Sequence, residues 1–292
     1  MAIGEIGLSS SMRSNLISLQ TTARLLGQTE ERLATGKRVN TAVDNPANFF
    51  AAQGHTSRAN QLSSLKDDIS EAIQTVKSAD SGIKGVLSSI ESLRSIVTQA
   101  RSAINDTVNS ATVISGLEGQ YNRMVEQLNN LVTDSSYKGT NFLSSGGVTL
   151  TVNFNENATT KIVMSGFNGG ASGLAISGGG GALAAAGTSG NMSSGSMDSV
   201  SELNAIETTL NAAIATLQTK ASELSANLGT LTSRQTFINE MVNTLIVGAT
   251  KLTEADTNEE GANLLALQTK QQLGTTALSI SSQAEQSILR LF

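Results

Sequence analysis

The sequence predicts a mostly α-helical protein: a long coiled-coil-like helical bundle with a small β-hairpin region, its N- and C-terminal helices paired. Three observations predict it. From Leu62 to Ile104, apolar residues recur at alternating spacings of three and four: Leu62, Leu65, Ile69, Ala72, Val76, Ala79, Ile83, Val86, Ile90, Leu93, Val97, Ala100 and Ile104. That is the seam of a helix packed along its length against other helices. A similar run returns from Val200 to about residue 250, through Leu203, Ile206, Leu210, Ala213, Leu217, Leu224, Leu231, Ile238 and Leu245. Both ends of the chain carry one apolar stripe each, and such helices are marginal alone in water.

The first long run spans roughly 65 Å at about 1.5 Å per residue. A rod of that length serves lengthwise contact rather than the framing of a pocket. Gly82 and Gly85 lie inside it and each costs about 1 kcal/mol relative to Ala. They mark a bend, a close neighbour or a plain weak spot.

Taken in order, residues 1–36 form an amphipathic helix with Met12, Leu16, Leu19, Ala23, Leu26 and Leu33 on its stripe and Glu30 interrupting it. Gly36 ends it. Residues 37–55 read as a connector: Asn45-Pro46 favours an extended or turn conformation, and Phe49 and Phe50 beside Pro46 serve as packing anchors. Residues 56–165 hold the long helix, a break at Asn105–Ser110, and a shorter helix marked by Val113, Leu117, Tyr121, Met124, Leu128 and Leu131. A hairpin follows, where Val148, Leu150, Val152 and Phe154 alternate with polar residues before the turn Asn155-Glu156-Asn157 and a strand from Thr160 to Met164. Residues 166–199, rich in Gly, Ser, Ala and Asn, read as a surface excursion. Residues 200–250 form the second long helix and 251–261 a polar connector. Residues 262–292 form the last helix, with Leu273, Ala277, Ile280, Ala284, Ile288 and Leu291 on one face. The order is mirrored about the middle, so the chain goes out, comes back and sets its termini side by side.

Composition narrows the function. Aromatic residues are only 3% of the chain, while Ala, Leu, Ile, Val, Ser and Thr are abundant; that mix suits helix seams better than a compact globular core. A net charge of −5 with no basic block gives no electrostatic support to nucleic-acid binding. No stretch reaches the length of a membrane span, and the N-terminus lacks the pattern of a cleaved signal peptide. The chain has no Cys, so neither disulfides nor thiolate metal sites are expected. His55 stands alone, which favours a structural polar role over a catalytic one. Asp67, Asp68, Asp256, Glu259 and Glu260 lack calcium-loop spacing, and Gly178–Gly181 lacks the Lys-Ser/Thr of a phosphate loop. No catalytic, metal or cofactor site is expected. Three Asn-linked glycan sequons stand at Asn105, Asn157 and Asn191, a short pattern of little weight by itself, and the Ser and Thr of 166–199 permit O-linked sugars without indicating them.

Two stretches then carry a resemblance. Leu33-Ala34-Thr35-Gly36-Lys37-Arg38-Val39-Asn40-Thr41-Ala42-Val43-Asp44 resembles the N-terminal pattern of bacterial flagellins. Asn263–Gly274 and the ending Ala277–Phe292 resemble their C-terminal region. The resemblance covers roughly residues 1–165 and 200–292. It implies a helical homopolymer whose terminal helices form the inner tube, the C-terminal one facing the channel, with the long helices and hairpin in the next shell. It further implies an extracellular flagellar location and flagellar type III export without a cleaved signal peptide. The implied partners are other copies of the chain, an export chaperone at the C-terminal helices, and the filament cap and hook–filament junction proteins; nucleic acid and membrane are not among them. Subunit contacts are expected at Leu16, Leu19, Leu26, Leu33, Leu273, Ile280, Ile288 and Leu291.

Two departures stand out. Where many members have Asp-Ala-Ala-Gly after the Asp matching Asp44, this chain has Asn45-Pro46-Ala47-Asn48-Phe49-Phe50, a stiffer connector. Where many carry Gln-Arg-x-Arg-Glu-Leu, the segment that an innate immune receptor binds, this chain has Glu91-Ser92-Leu93-Arg94-Ser95-Ile96; of the residues that pattern fixes only Arg94 remains, which predicts weak recognition. The alternative readings are a hook–filament junction protein of the same export route, a membrane-active helical effector, and an enzyme. The terminal stripes lack the Lys/Arg-rich polar face of membrane-surface helices, and no acid–base constellation supports the last.

Overall fold

The computed structural model describes residues 10–105, 110–144, 146–176 and 197–289. Five helices and one hairpin follow in order: α1 (Ser10–Thr35), α2 (Pro46–Ile104), α3 (Ser110–Asp134), β1 (Thr149–Asn153), β2 (Lys161–Ser165), α4 (Val200–Thr253) and α5 (Thr257–Leu289). The chain divides into two compact units, Met1–Ala59 with Asn243–Phe292, and Asn60–Val242.

The helix ends follow from local chemistry. Gly36 adopts φ +67° just past α1, a left-handed position that Gly takes without steric cost. The helix α2 begins at Pro46, not after residue 55, so the expected connector is shorter. Proline is tolerated in a first turn, where its missing N–H has no intrahelical role, and the Asn45 Oδ1 caps the end by accepting from the Asn48 N–H at 3.0 Å. Before α4, Ser199 and Glu202 form a reciprocal capping box: the Glu202 N–H donates to the Ser199 Oγ (3.3 Å) and the Ser199 N–H to the Glu202 Oε2 (3.1 Å). The last helix starts at Thr257 rather than 262, because the Asp256 Oδ1 accepts from the N–H groups of Asn258 and Glu259. The connector expected at 251–261 therefore contracts to Glu254–Asp256.

In the Asn60–Val242 unit the expected seam of α2 is the core. Ile69, Val76, Ile83, Val86, Ile90, Leu93 and Ala100 are wholly inaccessible, as are Leu203, Leu210, Leu217 and Leu231 of α4. On α3 the buried stripe is Ile114, Leu117, Tyr121, Val125, Leu128 and Val132, while Val113 is exposed. Val113, Met124 and Leu131 were expected on that stripe and sit one position off it, since two adjacent apolar residues leave the helix phase ambiguous. Burial of Tyr121 pushes its phenol pKa well above the usual range.

The hairpin pairs Leu150 with Met164 and Val152 with Ile162. Val152 and Met164 are buried while Thr151 and Val163 face out, the period of two expected of a half-buried sheet. The Arg234 guanidinium of α4 lies 5.1 Å from the Phe154 ring centre, close enough for a cation–π contact. The surface excursion is narrower than 166–199. Ala171, Leu174, Ile176 and Met197 are buried, and the Ala171 N–H donates to the Asn129 Oδ1 of α3 at 2.9 Å. Gly178–Gly181 lie outside the described residues.

The two glycines of the long helix mark a close neighbour. A Cβ on Gly82 would stand 2.5 Å from the Ser135 Oγ and 3.0 Å from Leu143, and one on Gly85 would stand 2.7 Å from Leu131. Gly54, in contrast, has nothing within 4 Å of that position. The same substitution should thus act with opposite signs in chemical denaturation. Gly82→Ala is expected to cost about 1–3 kcal/mol through overpacking, and Gly54→Ala to stabilise its helix by up to about 1 kcal/mol.

Candidate assembly surface

The surface of interest belongs to the unit of Met1–Ala59 and Asn243–Phe292. Within it α1 and α5 pack antiparallel: Leu19 lies against Gly274 and Arg32 against Glu260. Met12, Leu19 and Leu26 of α1 and Leu264, Leu267, Gly274 and Leu278 of α5 are half-buried where the two helices pack. A Cβ on Gly274 would lie 3.0 Å from the Leu19 Cγ, so glycine is what lets this leucine sit down on the α5 backbone. The Arg32 Nη1 donates to the Glu260 Oε1 at 3.0 Å, with the glutamate side chain only 8% exposed.

The two expected stripes are therefore each divided. Leu19 and Leu26 are half-buried, Leu19 against Gly274 of the partner helix, whereas Leu16 and Leu33 are more exposed, at 38% and 39%. On α5 the packed face runs through Leu264, Leu267, Gln271, Gly274, Leu278 and Ser281. Of the expected face, Ala277 is half-buried, whereas Leu273 is 65% and Ile280 61% exposed. The helix α5 includes Ile288, and Leu291 lies outside the described residues.

The corner joining α1 to α2 is braced. The Arg38 N–H donates to the Thr253 carbonyl at 2.7 Å, and the Ala255 N–H to the Gly36 carbonyl at 3.0 Å. The Asp44 Oδ2 accepts from the Asn40 N–H (3.1 Å), the Thr41 N–H (2.9 Å) and the Thr41 Oγ1 (3.0 Å). The backbone bond from Thr41 does most to hold this carboxyl below its usual pKa, followed by the Thr41 hydroxyl. Pro46 is exposed, Phe49 is half-buried and Phe50 is 61% exposed. Their rings make an edge-on contact at 5.6 Å. The expected anchoring inside the chain is thus met only in part by Phe49; helical geometry from Pro46 onward turns Phe50 outward.

On α2, Glu91 and Arg94 form a surface pair at 3.5 Å. Ser92 is half-buried, and Leu93 and Ile96 are buried.

Two amphipathic terminal helices paired with each other, joined to long seam-forming helices and still carrying uncovered apolar faces, define a structural protein built to polymerise. Comparison with known proteins agrees. The family model for the bacterial flagellin N-terminal helical region matches residues 6–147, and that for the C-terminal helical region matches residues 204–292. The chain is 28% identical to flagellin FljO of Caulobacter vibrioides over the whole of both chains. It is 29% identical to a flagellin of Brucella melitensis over 97% of each. The crystal structure of Bacillus cereus flagellin superposes with a TM-score of 0.45 at 13% identity, over 59% of this chain and 88% of that one. The chain belongs to the bacterial flagellin family. Its role is that of a non-enzymatic, extracellular subunit of the flagellar filament, and the junction-protein alternative is not favoured. Among the described residues no helix is long and apolar enough to cross a membrane.

Proposed function

We propose that this subunit polymerises through the uncovered faces of α1 and α5. Leu16 and Leu33 serve on the first, and Leu273 and Ile280 on the second, with Ile288 and Leu291 continuing the latter by spacing. The observation that carries this is where exposed grease lies. Of fifteen large apolar residues left exposed among the described residues, eleven fall in the smaller unit, Met1–Ala59 with Asn243–Phe292. Between Ala262 and Ala284 the only charged residue is Lys270, so this stretch can be enclosed with little desolvation of charge. A head-to-tail contact between such faces recurs at every added copy and does not close on itself.

In this reading, residues 1–36 and 262–292 build the inner tube, with the last helix toward the channel. Residues 56–165 and 200–250 build the next shell, and part of 166–199 points outward. The chain leaves the cell by the flagellar export route without a cleaved signal peptide, its C-terminal helices held beforehand by an export chaperone. Cap and junction proteins meet the same terminal helices at the filament's ends.

Sedimentation and negative-stain microscopy of the purified chain test this. Long filaments are expected, and they should persist when residues 170–195 are replaced by a short linker. Failure of the purified chain to form polymers would count against it.

Recognition by the innate receptor is expected to be weak, because Glu91 and Ser92 replace the polar pair of the usual motif and Glu91 holds Arg94 on the surface. A receptor-reporter assay giving full potency would refute that expectation.

A further inference from the structure

The turn Lys37–Asp44 holds much bracing for little burial. Its first residues are fixed to Thr253, and Gly36 just before it to Ala255, and Val39 is its one buried large apolar side chain. The Asn40 Nδ2 donates to the Thr35 Oγ1 at 3.0 Å, and three donors converge on the Asp44 carboxylate. At the tip of this rigid loop Val43 is 91% exposed, the highest value among the large apolar residues described. Hydrogen bonds that order a loop oppose its conformational entropy, and here the ordered product is an apolar side chain presented to water. Rigid presentation of an anchor is what lowers the ordering cost of an interface.

We infer that this turn is a docking knob for a second copy of the chain, with Val43 seated on the uncovered pair Ile246 and Val247 of that copy's α4. The inference rests on the filament reading above. Three observations choose the occupant. Val43 belongs to the same unit as the other exposed apolar residues, so the contact continues the assembly surface. The uncovered residues of α1 and α5 are spread along two helices packed against each other, a surface suited to another helix. Outside those stripes and the turn itself, the uncovered large apolar residues of this unit among those described are Phe50, whose ring already rests against Phe49, and the adjacent pair Ile246 and Val247, 49% and 52% exposed. A knob on one copy and a patch on the next make a head-to-tail contact, which propagates.

The natural absence of Cys makes the test direct. Val43→Cys and Val247→Cys chains are prepared separately, mixed, polymerised and oxidised. Covalent dimers are expected from the mixed filaments, and none from dilute unpolymerised mixtures or from Val43→Cys alone. In parallel, Val43→Asp should raise the critical concentration for polymerisation about tenfold or more. It should leave the monomer's circular dichroism unchanged, because the side chain touches almost nothing within its own chain. Filaments that form normally yet yield no mixed dimer, or a Val43→Asp chain that polymerises like the wild type, would overturn the knob and leave the filament reading standing. Failure of the wild type to polymerise would instead strike the filament reading itself.

Discussion

Replacing Leu273 and Ile280 together by Asp is expected to abolish polymerisation while leaving the soluble subunit helical. Each side chain is more than three-fifths exposed in the isolated chain, so the substitutions remove little packing there. In an enclosed seam each apolar side chain contributes about 1.5–3 kcal/mol. Their joint loss corresponds to more than about a hundredfold in critical concentration, before the cost of burying two carboxylates. Removal of Ala277–Phe292, which takes away Ile280 together with Leu278 of the packed face, should also abolish polymerisation. Circular dichroism should show α2, α3 and α4 retained, and sedimentation should show no pellet. The control is Leu264→Asp on the face that meets α1: it should disturb the subunit itself. If the Leu273/Ile280 variant pellets like the wild type, the uncovered face of α5 is not an assembly surface.

Arg32→Ala should loosen the α1–α5 pair by about 2–3 kcal/mol, because it leaves Glu260 buried without its cation. The figure is set below that for a fully buried pair because Arg32 is 28% exposed and partly screened. The effect should be local. Hydrogen exchange is expected to quicken in the second half of α1 and the first turns of α5, and not around Ile83 or Leu210. A companion variant with both Arg32 and Glu260 replaced by Met should recover most of the protection, since removing both charges leaves no orphan. The Glu260 Oε2 already lacks a partner among the described residues, so the pair is not ideally satisfied to begin with. Unchanged exchange in Arg32→Ala would mean that Leu19, Leu26 and their partners hold the helices without the ion pair.

Long periodic runs were legible in the sequence because thirteen consecutive seam positions leave only one phase for the helix. The α4 seam was equally plain for the same reason, and the hairpin announced itself by strict alternation around Asn155. The misreadings fall where one residue decides. Pro46 looked like a break, and it is a helix start because Asn45 stands before it as a cap. Asp256 looked like part of a polar connector, and its carboxylate caps α5. Val113 and Leu131 have apolar neighbours at 114 and 132, so spacing could not choose between them. The terminal stripes were visible as apolar, but a one-dimensional pattern does not tell which leucines face the chain's own partner helix. That division depends on the pairing with α5, where Gly274 leaves room for Leu19.

Electron cryomicroscopy of the native filament bears most directly on the central idea, that exposed faces of paired end helices are covered by neighbouring copies. The expected map has Leu273 and Ile280 enclosed between subunits, with α1 and α5 still paired as Leu19 on Gly274. A map in which those two side chains face open solvent, with contacts confined to α2, α3 and α4, would contradict it.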